Sequence, residues 1–195
     1  GVPYEAKINI SHQTINGTYP DGTPYELLKP TYTIIDKQFG VLDNVYKSPR
    51  VGQQVIGLGL IDALSEESIL ANADEFDADN DGISGRANYV WNEITNSTSI
   101  GKFGWKANQP SLRQQVADAF NGDMGLTSSI FGNQNCPPGQ DDCNNYPNGG
   151  TPEVIDSQLD DVVFYQSALA VPKRRKFMEQ NVLEGKVLFN ESDCV

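Results

Sequence analysis

Apolar and polar residues alternate near the start of the chain. Ile8 and Ile10 are interleaved with Lys7, Asn9 and Ser11, the period of two expected of a β-strand. Asn16-Gly17 and Tyr19-Pro20-Asp21-Gly22-Thr23-Pro24 then supply turn residues, and Tyr32-Thr33-Ile34-Ile35 is a run of strand formers. The pattern predicts an antiparallel unit of two or three strands over residues 4–36, with exposed, proline-marked turns. From residue 51 the period lengthens. Val55, Ile56, Leu58, Leu60, Ile61 and Leu64 suit a buried helix, which Gly57 and Gly59 weaken unless another backbone packs close to them. Ser65 followed by Glu66-Glu67 starts a short helix through Ala71, with carboxylates at the positive end of its dipole. Ser111 to Gln114 reads as a capping box for a helix carrying Val116, Ala117 and Phe120. Residues 121–150 are a Gly-, Asn- and Pro-rich loop. A helix is expected over about 153–170, with Leu159, Val162, Val163, Tyr165, Ala168 and Leu169, closed by Pro172. A last helix is expected over about 176–190.

The fold class so predicted is mainly α with a small antiparallel β hairpin unit, an α+β chain with a β-rich front (4–36) and a helical body (51–195). At 195 residues, 38% of them apolar, the chain can bury a core as one domain or as part of a larger one. It opens on Gly1-Val2-Pro3-Tyr4 and stops on Asp193-Cys194-Val195, so both ends are expected to be cuts within a longer protein. The net charge of −12 repels phosphate backbones and anionic lipid, so neither nucleic acid nor a membrane surface is an expected partner. No run approaches the roughly 20 apolar residues that cross a bilayer. The basic run Lys173-Arg174-Arg175-Lys176 reads first as a solvated helix end.

Candidate chemistry begins at Phe76-Asp-Ala-Asp-Asn-Asp-Gly-Ile-Ser-Gly-Arg86. Calcium takes oxygen ligands at about 2.3–2.6 Å, and carboxylates at alternate loop positions converge on one centre. Asp77, Asp79 and Asp81 would supply three, Ile83 its carbonyl, and Gly82 the sharp turn. An EF-hand closes with a bidentate glutamate where this chain has Asn88. The sphere would therefore be completed by the Asn88 amide oxygen, a water, or a carboxylate such as Glu93 or Asp74. The pattern suits a structural calcium clip better than a sensor, and the plainer alternative is an unmetallated Asx-turn loop. Cys136 and Cys143 lie in a polar loop bent by prolines and a glycine. A disulfide is expected there, against two free surface thiols, and it would imply an oxidising compartment. His12, the only histidine, shares the phase of Ile8 and Ile10 and is expected to be half-buried and structural.

Five ordered motifs carry a more specific signal. They are Val55-Ile-Gly-Leu-Gly-Leu60, Asp79-Asn-Asp-Gly-Ile-Ser-Gly-Arg86-Ala-Asn88, Gly101-Lys-Phe-Gly-Trp-Lys106, Asp123-Met-Gly-Leu-Thr127 and Ala170-Val-Pro-Lys-Arg-Arg175. Together they resemble the bacterial di-haem oxidoreductase (thiol oxidoreductase-like) family, related to di-haem cytochrome c peroxidases, from about residue 4 to the end. The resemblance implies a cytochrome c peroxidase-like architecture and two c-type haems in the full-length parent. The chain would lie between two C-x-x-C-H attachment motifs, with Gly185-x-x-Leu188-Phe189 leading to Cys194 as the first cysteine of the second. No intact C-x-x-C-H is present, so this stretch alone cannot hold haem covalently. The family's roles point to Trp105 as an electron bridge, with a plain core tryptophan as the alternative. They also point to Met124 as an axial thioether, with simple packing as the alternative, and to Arg86, Lys106, Arg174 and Arg175 as propionate partners, with a surface ion pair as the first reading of each. The implied parent is periplasmic or otherwise extracytoplasmic, acts on a small-molecule redox substrate and exchanges electrons with a partner protein. The rival reading is a non-catalytic, secreted, calcium-stabilised binding or scaffold module.

Overall fold

A computed structural model of the chain describes residues 4–42, 45–140 and 142–192. The alternating front folds as one hairpin. Strands β1 (Lys7–Thr18) and β2 (Pro24–Ile35) pair antiparallel, from Lys7 opposite Ile35 to Thr18 opposite Pro24. Between them the Tyr19 N–H donates to the Thr23 carbonyl (2.8 Å) and the Thr23 N–H to the Asp21 carboxylate (2.9 Å). The alternation gives the right register, yet the expected inward face covers no core: Ile8, Ile10 and Leu28 keep 54%, 52% and 63% exposure. His12, opposite Pro30 on that face, is exposed as well. It is not the half-buried residue its phase suggests, because among the described residues no other strand or helix packs over it on the hairpin.

The body begins with α1 (Leu58–Asp62) and α2 (Glu66–Leu70). Gly57 is the residue before α1 and adopts a left-handed conformation (φ 76°). The helix therefore starts three residues later than the apolar run implies. The glycines serve close packing. The Gly57 N–H donates to the Leu169 carbonyl (2.9 Å), and a Cβ on Gly59 would sit 2.3 Å from the Ser167 carbonyl oxygen. Ser65 caps α2 by accepting from the Ser68 N–H (3.1 Å).

A second, smaller sheet, β3 (Tyr89–Asn92) with β4 (Ser97–Ile100), was not foreseen from the sequence. Its turn is held by the Asn92 side-chain oxygen, which accepts from the Ile94 and Thr95 N–H groups (3.0 and 3.1 Å). Helix α3 (Leu112–Met124) is capped by Ser111, which accepts from the Gln114 N–H (3.2 Å). The reciprocal half of the capping box is missing because the Gln114 amide is engaged in a buried network described below. Helix α4 is Asp156–Ala168 and α5 is Gln180–Glu191. The basic run 173–176 lies in the exposed connection between α4 and α5 and not at a helix end.

The core is small: Phe103, Leu112, Val116, Ala117, Val154 and Leu159, flanked by Leu58, Phe120, Leu126, Ile130, Phe131, Val162 and Val163. It joins α3, α4 and the turn at 101–109. Arg113 on α3 ties the first two together, with Nη2 2.8 Å from the Asp156 carboxylate and Nη1 on that of Asp160. Five helices and two small antiparallel sheets make the described chain a mixed α+β fold. Its helices are shorter than the expected helical body. No described helix is long and apolar enough to cross a membrane.

Candidate functional site

The motif Gly101-Lys-Phe-Gly-Trp-Lys106 forms a tight turn held by Gln109, whose N–H donates to the Phe103 carbonyl (3.1 Å) while its own carbonyl accepts from Lys102 and Phe103 (2.8 and 3.0 Å). Gly104 takes φ 83°, a conformation that favours glycine. Phe103 thereby enters the core while Trp105, two residues on, stays 55% exposed. Lys102 reaches back, donating to the Asp62 and Leu64 carbonyls (3.1 and 2.7 Å). It satisfies the end of α1, where orphan carbonyls accumulate.

Trp105 stands on the wall of a cleft of about 740 Å³, within the size range of small-molecule and cofactor sites. Val55, Leu58 and Phe103 give it apolar surface, Arg50 and Lys106 give cations, and Asp118 and Asp123 on α3 give carboxylates. Asp118 is half-buried, and that burial pushes its carboxyl above the usual aspartate range; Asp123 adds to the shift and the bond from Gln109 opposes it.

A chain of amides holds Asp118. Gln109 Nε2 donates to Asp118 Oδ2 (2.9 Å), and Gln114 Nε2 donates to Gln109 Oε1 (2.9 Å) and to the Trp91 carbonyl (3.1 Å). Gln114 Oε1 accepts from the Glu93 N–H (2.9 Å). Gln109 and Gln114 are buried, and no buried side-chain polar atom among the described residues lacks a partner. Such a network fixes its members because breaking any one strands the others in a low-dielectric setting. These residues were absent from the sequence expectations. The available signal was that Gln114 and Asp118 are four apart on one helix, flanking the Leu112, Val116, Phe120 stripe.

The acidic loop gathers a second site. One carboxylate oxygen from each of Asp74, Asp77 and Asp79 lies within 4.8 Å of the others, a spacing that oxygens around one calcium ion can share. Asp74 enters through the bridge that pairs it with Gly85, and its carboxylate also accepts from the Ala78 N–H. Asp81 is outside the trio and accepts from the Ile83 N–H (2.7 Å). The Asn88 amide nitrogen donates to the Lys106 and Ala107 carbonyls (3.0 Å each), linking this loop to the Trp105 turn. Arg86 pairs with Glu75 at 3.4 Å and is not among the residues of the Trp105 cleft.

Other expected residues lie apart. Met124 is exposed on a separate cleft of about 400 Å³, shared with Leu126, Gln134, Cys143 and Glu153. Arg174 and Arg175 line a groove with Phe177 and Met178, away from Trp105. The sulfurs of Cys136 and Cys143 lie 2.12 Å apart. Cys194 lies outside the described residues.

The model of a family described as "Di-haem oxidoreductase, putative peroxidase" matches residues 3–195. The chain belongs to the di-haem oxidoreductase family. No curated protein and no solved structure matches it. Membership of that family supports an oxidoreductase role tied to haem.

The described residues of this di-haem oxidoreductase chain suit one part of a haem site. Val55, Leu58, Phe103 and Trp105 offer apolar surface to a flat macrocycle, and Arg50 and Lys106 offer cations to its carboxylates. Among the described residues neither His12, on the hairpin, nor Met124, on a separate cleft, lines the Trp105 cleft.

Proposed function

We propose that the chain is the segment between two haem-attachment motifs of an extracytoplasmic, cytochrome c peroxidase-like di-haem oxidoreductase. In this reading its Trp105 cleft is one wall of a haem pocket. The observation that carries it is the meeting of Trp105, an apolar floor and two cations in one cleft of haem-accommodating size. When bound there, haem supplies the redox chemistry. The chain's own residues would orient it: Trp105 would offer its ring as a wall and an electron bridge, and Arg50 and Lys106 would pair with its propionates. Cys194 begins the second attachment site. Met124, on a different cleft, would be available as a thioether to a second iron and not to one beside Trp105. A small-molecule redox substrate and an electron-transfer protein are the partners. The Cys136–Cys143 pair supports an oxidising compartment, where a disulfide persists.

In the same reading Ca²⁺ binds Asp74, Asp77 and Asp79, with the Ile83 carbonyl and Asp81 or water completing the shell. The ion holds the loop whose end, Asn88, is bonded to the Trp105 turn.

The full gene product, made in a periplasm with c-type haem maturation, is expected to carry two covalent haems by pyridine haemochrome assay. Trp105→Leu should keep both haems but slow electron exchange between them at least tenfold, followed by stopped-flow spectroscopy. A protein without covalent haem overturns the reading. For calcium, a chelator is expected to lower the melting temperature and added Ca²⁺ to restore it, with Asp79→Asn insensitive to both. A melt that ignores chelator and ion alike removes the metal from the account.

A further inference from the structure

The basic run before α5 is left without a task by the haem reading. Residues 173–186 hold five cations, Lys173, Arg174, Arg175, Lys176 and Lys186, against two carboxylates, Glu179 and Glu184. That stretch is net +3 in a chain of −12, so the remainder carries −15. Both carboxylates are engaged locally, Glu179 by Lys176 (3.3 Å) and Glu184 by Gln180 Nε2 (2.9 Å). Among the described residues, Arg174, Arg175 and Lys186 pair with no acidic group.

The fold gathers this charge on one face. Lys176 takes φ 52°, a conformation uncommon outside glycine, and its carbonyl accepts from the Glu179 N–H (2.9 Å). The run thereby turns straight into α5. Arg174 lines two hollows: one of about 530 Å³ with Lys173, Arg175, Phe177 and Met178, and one of about 500 Å³ on α5 with Lys186 and Phe189. Lys173 Nζ lies 5.5 Å from the Phe177 ring centroid, within reach of a cation–π contact. Phe177, Met178 and Phe189 are exposed, so apolar surface shares the face with the cations.

We propose that this face docks an acidic protein whose contact surface is apolar and ringed by carboxylates, and that this protein is the electron-transfer partner of the function proposed above. The inference rests on that reading for the partner's role and not for its charge.

Charge decides the occupant. Nucleic acid or an anionic bilayer is an extended polyanion and meets the acidic remainder of the chain as well as the patch. A small folded partner meets the patch alone. At about 0.1 M salt the Debye length is about 10 Å, so the partner's carboxylates feel the cations they touch and little of the charge beyond. Opposite local charges steer such a pair into register, and the aromatic and methionine side chains among them are of the kind enriched in protein contacts. The position suits the role. Phe189 of the second hollow precedes Cys194 by five residues, and in the proposed reading Cys194 begins a haem-attachment site.

The test uses the full gene product and has two arms. In the first, the probe is oxidised flavodoxin, a small acidic protein with an exposed flavin edge, and binding is followed by biolayer interferometry. Binding is expected at about 0.1 M salt and should weaken about tenfold or more at about 1 M, where screening is nearly complete. Arg174→Gln with Arg175→Gln should weaken it about tenfold or more at the lower salt without moving the melting temperature. Lys29→Gln, on the hairpin, should leave it unchanged. Arg174→Glu with Arg175→Glu should lose flavodoxin and gain affinity for a basic mitochondrial-type cytochrome c. Absence of flavodoxin binding, or binding that ignores both double variants, overturns the proposal. Tighter binding to phosphatidylglycerol vesicles or to a DNA duplex at the same salt overturns the choice of a protein partner. In the second arm, the haem-loaded protein is reduced by flavodoxin hydroquinone in a stopped-flow spectrometer. The second-order rate constant is expected to fall about tenfold or more in the Gln double variant, and to be unchanged when photoreduced lumiflavin, an uncharged small reductant, replaces flavodoxin. A flavodoxin rate that ignores the Gln double variant overturns the partner's role and leaves the docking face to the first arm. Failure of haem to load overturns the function instead, and the binding arm alone then decides the face.

Discussion

Glu153 shows how much of this chain's loop structure depends on single side chains. Its two carboxylate oxygens accept from the Gly149 N–H (2.9 Å), the Thr127 N–H (3.0 Å), the Thr127 hydroxyl (3.3 Å) and Gln134 Nε2 (3.3 Å). The Thr127 hydroxyl also accepts from the Glu153 N–H (3.0 Å). One residue thus joins the loop after α3, the middle of the 121–150 segment and the approach to α4. The bonds from Gly149 first, then from Thr127, hold the Glu153 carboxyl below the usual glutamate range, because donors directed at a carboxylate favour its charged form. A folded-state pKa below the unfolded one stabilises the protein above the unfolded value, near about 4.3. That contribution is lost as the pH falls through the lower folded value. Glu153→Gln keeps the shape and removes the charge. It is expected to cost about 1–2 kcal/mol at pH 7, the scale of weakened charge-assisted bonds. The difference from the parent should shrink towards zero in denaturant melts below pH 4. A cost unchanged between pH 7 and pH 3 would show that the charge is not what holds the loop.

At the scale of elements, the short helix α1 depends on how closely it approaches α4. A methyl group on Gly59 would sit 2.3 Å from the Ser167 carbonyl oxygen, a backbone atom that cannot swing aside. In an isolated helix alanine is favoured over glycine by about 1 kcal/mol, so propensity alone predicts that Gly59→Ala stabilises. The packing predicts the reverse, a loss of about 1–3 kcal/mol as for other overpacked sites, read as a lower denaturant midpoint with an unchanged slope. A stabilised Gly59→Ala protein would mean that α1 does not pack as described. The same element marks the boundary of what can be read from sequence. The conditional expectation at Gly57 and Gly59, that something must pack close to their backbone, needed only the apolar run around them. What packs there is α4, more than a hundred residues away, and no local pattern contains that. Helix α3 was legible from its apolar residues and its Ser111 cap, and α4 from its apolar residues and the Pro172 beyond its end. The β3–β4 hairpin was not, since four-residue strands give too few alternations to register a period. In the site, the Asp77 and Asp79 pair was legible from alternate spacing. Asp74 joins through a bridge to Gly85 that only the fold creates. Asp118 and its glutamines were missed because a buried polar network has no sequence periodicity; its members come from β3, the turn after it, the turn at 101–109 and α3.

For the whole molecule, surface area is the quantity that needs explaining. The chain exposes 14633 Å², about 1.6 times the ~9,100 Å² that the scaling for compact monomers gives at its mass. The excess is apolar as well as polar. Ile8, Ile10, Leu27 and Leu28 on the hairpin, Phe164 and Tyr165 on α4, and Val187, Leu188 and Phe189 on α5 are all exposed. Neither β1–β2 nor α5 contributes a residue to the buried core. A two-stranded hairpin is marginal on its own in water, and a helix gains most of its stability from a packed apolar face. These elements therefore fold securely only when that surface is covered, as the proposed haem-containing parent would cover much of it. Opposing association is the net charge of −12, which keeps copies apart over a Debye length of about 10 Å at 0.1 M salt and about 3 Å at 1 M. The two effects have opposite salt dependences, and that makes the argument testable. The isolated chain at low salt is expected to be monomeric by sedimentation velocity while binding a hydrophobic dye strongly. Raising the salt towards 1 M should drive it into larger species, because screening removes the repulsion and leaves the apolar attraction. The full gene product should bind little dye and stay at one sedimentation coefficient across the same range. If the isolated chain binds no more dye than the full product and ignores salt, its apolar faces are already satisfied and the hairpin and α5 are stable as they stand.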